Sequence, residues 1–145
     1  AMLRKAHARV ADLGLKNVEG LAVMDAEKLE FPDGSFDVVM AQYVVTAVPN
    51  PEVALDEFAR VLRPGGELIL LSRVSADAGM RRFIEQRLQP VVRQLGWRTE
   101  FAWSRYAKWL AGARSMELIE RRPVPPLGHF SLIRFRKIKA VAVAA

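Results

Sequence analysis

Six polar side chains of this 145-residue chain stand where they could do chemistry: Asp25, Gln42, Tyr43, Arg121, Arg122 and His129. Asp25 closes the apolar run Leu21-Ala-Val-Met24. A carboxylate there can bond the amides that follow it and cap a turn, or it can accept a hydrogen bond from a ligand. Gln42 and Tyr43 close a second apolar run. A tyrosine ring attracts an ammonium and its hydroxyl accepts an amine's hydrogen bond, although an aromatic at a strand end also serves to close a core. Arg121 and Arg122 offer paired positive charge to a phosphate. His129 can bind the same anion or assist proton removal, or it can sit hydrogen-bonded in its loop. With His7 as the one other histidine and no cysteine in the chain, a metal site is not expected. Asp37, early in a buried strand, is assigned to bonding neighbouring backbone.

The elements that must position these residues follow from periodicity. Leu3, Ala6, Val10 and Leu13 recur at helical spacing, and Gly14 is placed to end the helix. No capping residue precedes Leu3, as in a helix cut from something longer. Val18 to Met24 reads as a strand. Phe31-Pro-Asp-Gly34 is a turn, since proline presets φ and glycine accepts positive φ. Phe36-Asp-Val-Val-Met40 has the continuous apolarity of a strand buried on both faces. Asn50-Pro51 supplies an N-cap and an N1 proline to a helix with the stripe Ala54, Leu55, Phe58, Val61 and Leu62, which Pro64-Gly-Gly66 ends. Glu67 to Ser72 is the next buried strand. Strand, helix, strand implies a crossover in a parallel sheet, and ligands bind such sheets at the carboxyl ends of the strands. Asp25, Ala26, Gln42 and Tyr43 all lie at such ends.

The second half is more basic. Residues 1–72 hold 7 basic and 11 acidic side chains, residues 73–145 hold 15 and 5, and the whole chain carries +6. An anionic partner or a merely solvated face both account for this asymmetry. Ala78 to Leu95 reads as an amphipathic helix, interrupted at Pro90, with Arg81, Arg82, Arg87 and Arg93 off its apolar stripe. Trp97, Phe101, Trp103, Tyr106 and Trp109, interleaved with Arg98, Arg105 and Lys108, suit a membrane interface, a stacking platform or an apolar lid over a cleft. Met116 to Arg122 and Phe130 to Ile138 read as strands, the latter at an edge or an end, joined through a rigid turn at Pro123 to Pro126. No apolar run is long enough to span a bilayer and no signal peptide is apparent, so a cytoplasmic protein is expected.

Two segments in a fixed order carry a resemblance. Asp25-Ala-Glu-x-Leu-x-Phe-Pro-Asp-Gly-Ser-Phe-Asp37, followed by Asp56-Glu-Phe-Ala-Arg-Val-Leu-Arg-Pro-Gly-Gly66, resembles the class I S-adenosylmethionine-dependent methyltransferases. The closing stretch, Glu120-Arg-Arg-Pro-Val-Pro-Pro-Leu-Gly-His-Phe-Ser-Leu-Ile-Arg-Phe135, is similar to the bacterial phosphatidylethanolamine N-methyltransferases within that class. The resemblance implies an α/β, Rossmann-like open sheet of order 3-2-1-4-5-7-6, with strands 3 to 7 supplied here and the last strand antiparallel. The family's N-terminal strand-helix-strand, with its glycine-rich loop and ribose-binding acid, has no counterpart. A partial domain over residues 1–138 and a frayed tail over 139–145 follow.

The same resemblance implies the chemistry. S-adenosylmethionine is the cofactor and S-adenosylhomocysteine the product. Asp25 takes a hydrogen bond from the adenine amino group, the Ala26 amide meets the ring edge, and Gln42 borders the cofactor. Tyr43 orients the amine of phosphatidylethanolamine and His129 assists. Arg121, Arg122 and His129 take the lipid phosphate. A phospholipid substrate and an anionic membrane surface on the cytoplasmic side are the expected partners, and nucleic acid is not. Without the glycine loop this stretch alone is expected to be inactive. Two other readings stay open: a methyltransferase of a quinone precursor or other small molecule, and a non-catalytic basic module that binds membrane or nucleic acid.

Overall fold

The computed structural model describes residues 2–75, 101–125 and 130–139. The expected helix Ala78–Leu95, Trp97, His129 and the tail from Ala140 lie outside the described residues. A helix, α1 (Met2–Asp12), opens the chain and ends at Gly14, whose φ of +58° is one that glycine adopts without strain. None of its residues is buried.

Val18 to Met24, expected as a strand, forms none. The segment joins no ladder, and Val23 is 86% exposed. The reason is topological. A strand exists through its partner's hydrogen bonds, and in the expected order two other strands separate this segment from its nearest sheet neighbour here. It does not take a place beside that neighbour instead.

The sheet consists of β1 (Phe36–Gln42), β2 (Leu62–Ser75), a short β3 (Phe101–Ala102), β4 (Met116–Val124) and β5 (Phe130–Lys137). Its main order is β1-β2-β5-β4. β1 and β2 are parallel, and β5 runs antiparallel to both β2 and β4. This is the order expected of strands 4-5-7-6 of the family sheet, with the antiparallel strand where it should be. β3 pairs in parallel with the end of β2. Pro123 falls inside β4, tolerable because β4 is an edge strand.

Two helices, α2 (Pro51–Val61) and α3 (Trp103–Gly112), lie side by side on one face. They are tied by Trp109 Nε1 donating to Asp56 at 2.8 Å and by a two-bonded Arg105–Glu52 ion pair at 2.7 and 2.8 Å. Leu55 and Phe58 of α2 share one core cluster with Leu68, Leu70, Ile133 and Phe135 of the sheet. Phe101, Tyr106 and Trp109, read from sequence as interface, platform or lid residues, are buried in this same core. An amphipathic stripe records that one side is apolar and not what it faces.

β1 corrects a second expectation. It is covered on one face only: Ala41 is buried, while Val38 and Met40 are 53% and 59% exposed. Among the described residues no element packs over that side. Further along the same face, charges replace apolar groups, with Glu67, Arg134, Arg136 and Glu120 forming a connected ladder of ion pairs.

The stretch at 62–66 differs in detail from its reading as a helix terminator. α2 stops at Val61, and β2 begins at once with Leu62 opposite Phe36. Residues 63–66 form a bulge before pairing resumes at Glu67 opposite Val38. Gly66 is obligatory here, because a Cβ would stand 2.8 Å from the Asp37 carbonyl oxygen. The end of α2 is capped from afar. Lys137 Nζ donates to the carbonyls of Ala59, Arg60 and Leu62 at 2.8, 3.3 and 2.8 Å. Asn50 does not cap α2 with its side chain, which is turned toward Glu27.

Candidate active site

Parallel pairing brings the carboxyl ends of β1 and β2 together, and the antiparallel β5 begins at the same end. Gln42, the last residue of β1, is exposed, and its Nε2 donates to Met40 Sδ at 3.3 Å. At Tyr43 the chain turns sharply. Its N–H still extends the ladder, donating to the Leu71 carbonyl at 2.8 Å, but its φ is +61°. A bulky residue in the left-handed region is strained by about 1–3 kcal/mol, and such strain collects at functional sites. The turn sets the Tyr43 ring edge-on to Phe130, with centroids 5.2 Å apart, and leaves the side chain about half exposed.

The turn carrying Asp25 and Ala26 is fixed to the loop after β1. Asp25 Oδ1 accepts the Glu27 N–H at 2.9 Å, and the Asp25 carbonyl accepts the Lys28 N–H at 3.1 Å. Glu27 in turn accepts both the Asn50 N–H, at 2.6 Å, and Asn50 Nδ2, at 2.8 Å. Asn50 leads directly into α2, so the Asp25 turn is tethered where β1's loop becomes a helix. The Asp25 carboxylate is exposed, and Ala26 packs half-buried against the core.

The two sequence segments that carried the resemblance meet physically. Glu57 Oε2 accepts the Leu29 N–H at 2.7 Å. Arg60 donates to the carbonyls of Leu29 and Phe31 at 2.9 and 2.8 Å and pairs with Asp33 at 2.7 Å. One Glu–Arg pair on α2 thus holds the backbone of residues 29–33 in place. Hydrogen bonds from Arg60 hold the Glu57 carboxyl below its ordinary range, against the opposing effect of burial.

The expected phosphate residues do not converge. Successive strand residues face opposite ways. Arg121 lies over the Trp103 ring on the helix-covered side, its Cζ 4.2 Å from the centroid. Arg122 Nε is bound to Glu120 at 2.9 Å. The sequence reading missed Arg73 and Phe130, paired across β2 and β5 at the same end as Tyr43. Arg73 was detectable as a cation at the carboxyl end of a parallel strand. Phe130 needed the register of β5 against β2. Next to Arg73, Ser72 and Tyr106 are buried, and burial pushes the Tyr106 phenol up to about 12, too high for a base at neutral pH. Among the described residues no cluster of three or more His, Asp or Glu side chains is placed to hold a metal ion.

Comparison with known proteins gives this geometry a context. Residues 1–70 match the family model of a methyltransferase domain. A phosphatidylethanolamine N-methyltransferase of Cereibacter sphaeroides is 37% identical over 136 residues, 94% of this chain and 65% of that protein. A ubiquinone/menaquinone biosynthesis C-methyltransferase of Bordetella avium is 46% identical over 77 residues, 52% of this chain and 29% of that protein. The chain therefore spans less than two thirds of the length of these relatives. An S-adenosylmethionine-dependent methyltransferase structure from Methanosarcina mazei superposes with a TM-score of 0.67 at 21% identity, covering 94% of this chain and 77% of that one. The cyclase SpnF superposes with a TM-score of 0.71 at 19% identity, covering 93% and 62%, so the fold by itself does not fix a reaction.

Proposed function

We propose that this chain, a member of the class I S-adenosylmethionine-dependent methyltransferases, is the acceptor-facing part of an enzyme that methylates the amine of phosphatidylethanolamine. One observation carries the choice of acceptor. The likeness to the lipid N-methyltransferase covers 94% of the chain, so it runs through β4 and β5, whereas that to the quinone C-methyltransferase covers 52%. β5 is the strand that supplies Phe130 to Tyr43.

The residues present fit one end of the cofactor. Asp25 and Ala26 sit on a fixed, solvent-facing turn, where the carboxylate can accept from an adenine amino group and the amide can meet the ring edge. Gln42, exposed at the end of β1, is the third cofactor-side residue of this reading. No described residues form the glycine-rich turn that would receive the ribose and methionine portion. When bound, S-adenosylmethionine supplies a methyl group on a sulfonium, open to direct displacement. What the protein adds is alignment more than acid or base strength. Tyr43, fixed by its strained turn and by Phe130, holds the amine by its ring face and its hydroxyl. Tyr43 would point the neutral amine's lone pair toward that methyl group, and the amine's proton would leave to water, a carbonyl or a weak base such as His129. Arg121, over Trp103 on the helix-covered face, would have to leave that ring to reach an anion at this end of the sheet. Arg122 would have to leave Glu120 to serve.

The basic second half fits peripheral attachment to an anionic membrane on the cytoplasmic side. No helix of the described residues is long and apolar enough to cross a membrane. Vesicle binding is expected to rise with the anionic lipid fraction and to fall with salt, as screening demands. Equal binding to neutral vesicles at high salt would remove the membrane from the reading.

The acceptor is tested on the natural full-length protein with labelled S-adenosylmethionine. Label is expected on lipid nitrogen. Label on a quinone precursor instead would move the protein to the alternative its 46%-identical relative represents. Failure to take up cofactor saturably would make it a binding module.

A further inference from the structure

We infer that Arg73 grips the acceptor's phosphate, seated on Phe130 beside the amine-holding Tyr43. The inference rests on the reading of the acceptor as an ethanolamine phosphodiester.

Arg73 stands at the carboxyl end of β2 with Phe130 as its cross-strand partner. Its Cζ lies 5.9 Å from the Phe130 ring centroid, and Phe130 meets Tyr43 edge to face. A single ring therefore separates a guanidinium from the tyrosine. An ethanolamine phosphodiester separates its amine from its phosphate by two methylene groups. An acceptor with its amine at Tyr43 has its anion on the side where Arg73 stands.

The state of Arg73 supports the same assignment. The arginines that brace this fold are committed to carboxylates: Arg60 to Glu57 and Asp33, Arg63 to Asp37, Arg105 to Glu52, Arg134 and Arg136 to Glu67. Arg73 has no carboxylate partner among the described residues. Its Nε is buried and makes no hydrogen bond. Buried N–H donors are nearly always satisfied, so the unpaired Nε of a guanidinium without a described carboxylate partner leaves a donor that a phosphate oxygen can take. Arg121 and Arg122 point to opposite faces, and Arg122 is already neutralised by Glu120. Among the described residues, Arg73 is the cation beside Tyr43 through Phe130.

The test measures phosphate recognition apart from turnover, on the natural full-length protein saturated with S-adenosylhomocysteine. Glycerophosphoethanolamine, ethanolamine and inorganic phosphate are titrated separately by calorimetry into wild type, Arg73→Met and Arg73→Lys, with thermal melts to confirm folding. Arg73→Met should weaken glycerophosphoethanolamine binding by at least about tenfold, the loss of a charge-assisted contact, and leave ethanolamine binding unchanged. Arg73→Lys keeps the stem and the charge but not the fork, so it should fall between. Equal binding of glycerophosphoethanolamine by all three proteins, or none by wild type, overturns the inference. Inorganic phosphate binding as tightly as the headgroup overturns it in favour of a site for free phosphate. If Arg73→Met abolishes headgroup binding yet wild type methylates no amine, the acceptor reading falls and the phosphate grip stands. If wild type methylates lipid amine and Arg73→Met binds and turns over equally well, the reverse holds.

Discussion

A carboxylate that bonds its own turn still has a second oxygen to offer. Asp25 uses Oδ1 on the Glu27 amide, and its exposure leaves room for a ligand's amino group. Asp25→Ala in the natural full-length protein should therefore weaken cofactor binding by about tenfold, the worth of one hydrogen bond to a polar group buried in the complex. Equilibrium dialysis with labelled cofactor measures this. Unchanged affinity in a folded variant would mean that Asp25 does no more than shape the turn. At this scale the sequence was partly legible. The positions of Asp25 and Tyr43 at the ends of apolar runs were readable, because an apolar run that stops marks where a strand leaves the core. The positive φ of Tyr43 was not, because nothing in the residue type asks for it. The parting of Arg121 from Arg122 followed from strand alternation alone. Arg73 and Phe130 became a pair only through β-register, which joins residues far apart in the chain.

At the scale of elements, the clearest sequence signals were those with local causes. The α2 stripe, the turn at Gly34 and the spans of β4 and β5 formed close to where periodicity placed them, but β5, read as an edge or end strand, lies between β2 and β4. Val18–Met24 failed because a strand's stability lies in its neighbour, and the aromatic segment was misplaced because apolarity does not name its partner. Two contacts that no local pattern announces hold the elements together. Lys137 satisfies the last carbonyls of α2 with one half-buried ammonium. Lys137→Met should cost about 1.5–3 kcal/mol, as for hydrogen bonds to a charged group, seen as a lower urea midpoint at unchanged slope. An unchanged midpoint would show that water caps this helix equally well. The second contact is Glu67, which serves Arg134 and Arg136 together. Hydrogen bonds from Arg134 first, then Arg136, hold its carboxyl below its ordinary value. A carboxyl lowered in the folded state adds stability above its unfolded value of about 4.3, and that stability is lost as pH falls through the folded value. Urea midpoints should thus drop on acidification from about pH 5 downward, and Glu67→Gln should flatten part of that drop. A variant with the wild-type acid profile would assign the slope to Glu52 and Glu57, which are lowered by Arg105 and Arg60 in the same way.

The whole molecule is asymmetric, and that asymmetry is testable in the 145-residue polypeptide itself. One sheet face is sealed by α2 and α3, while the other presents Val38 and Met40 at more than half exposure. β1 is an edge strand of the sheet, with a row of backbone donors and acceptors on the side away from β2. Natural edges are blunted by charge, proline or cover, and an apolar edge without them templates association. Asp37 is the one charged residue of β1, and Arg63 pairs with it at 3.1 Å. The polypeptide Ala1–Ala145 should therefore self-associate, its sedimentation coefficient rising with concentration. Met40→Lys and Val38→Lys, each placing a charge on the open face, should shift it toward monomer without lowering its melting temperature, because both side chains are already half in water. The natural full-length protein should sediment independently of concentration under the same conditions if further chain covers this face. On the proposed reading, in which Asp25 and Ala26 meet only the adenine, the polypeptide should also take up no labelled cofactor. A monomeric, cofactor-binding Ala1–Ala145 would refute the argument at both points, showing that an open apolar edge beside half a cofactor site is enough.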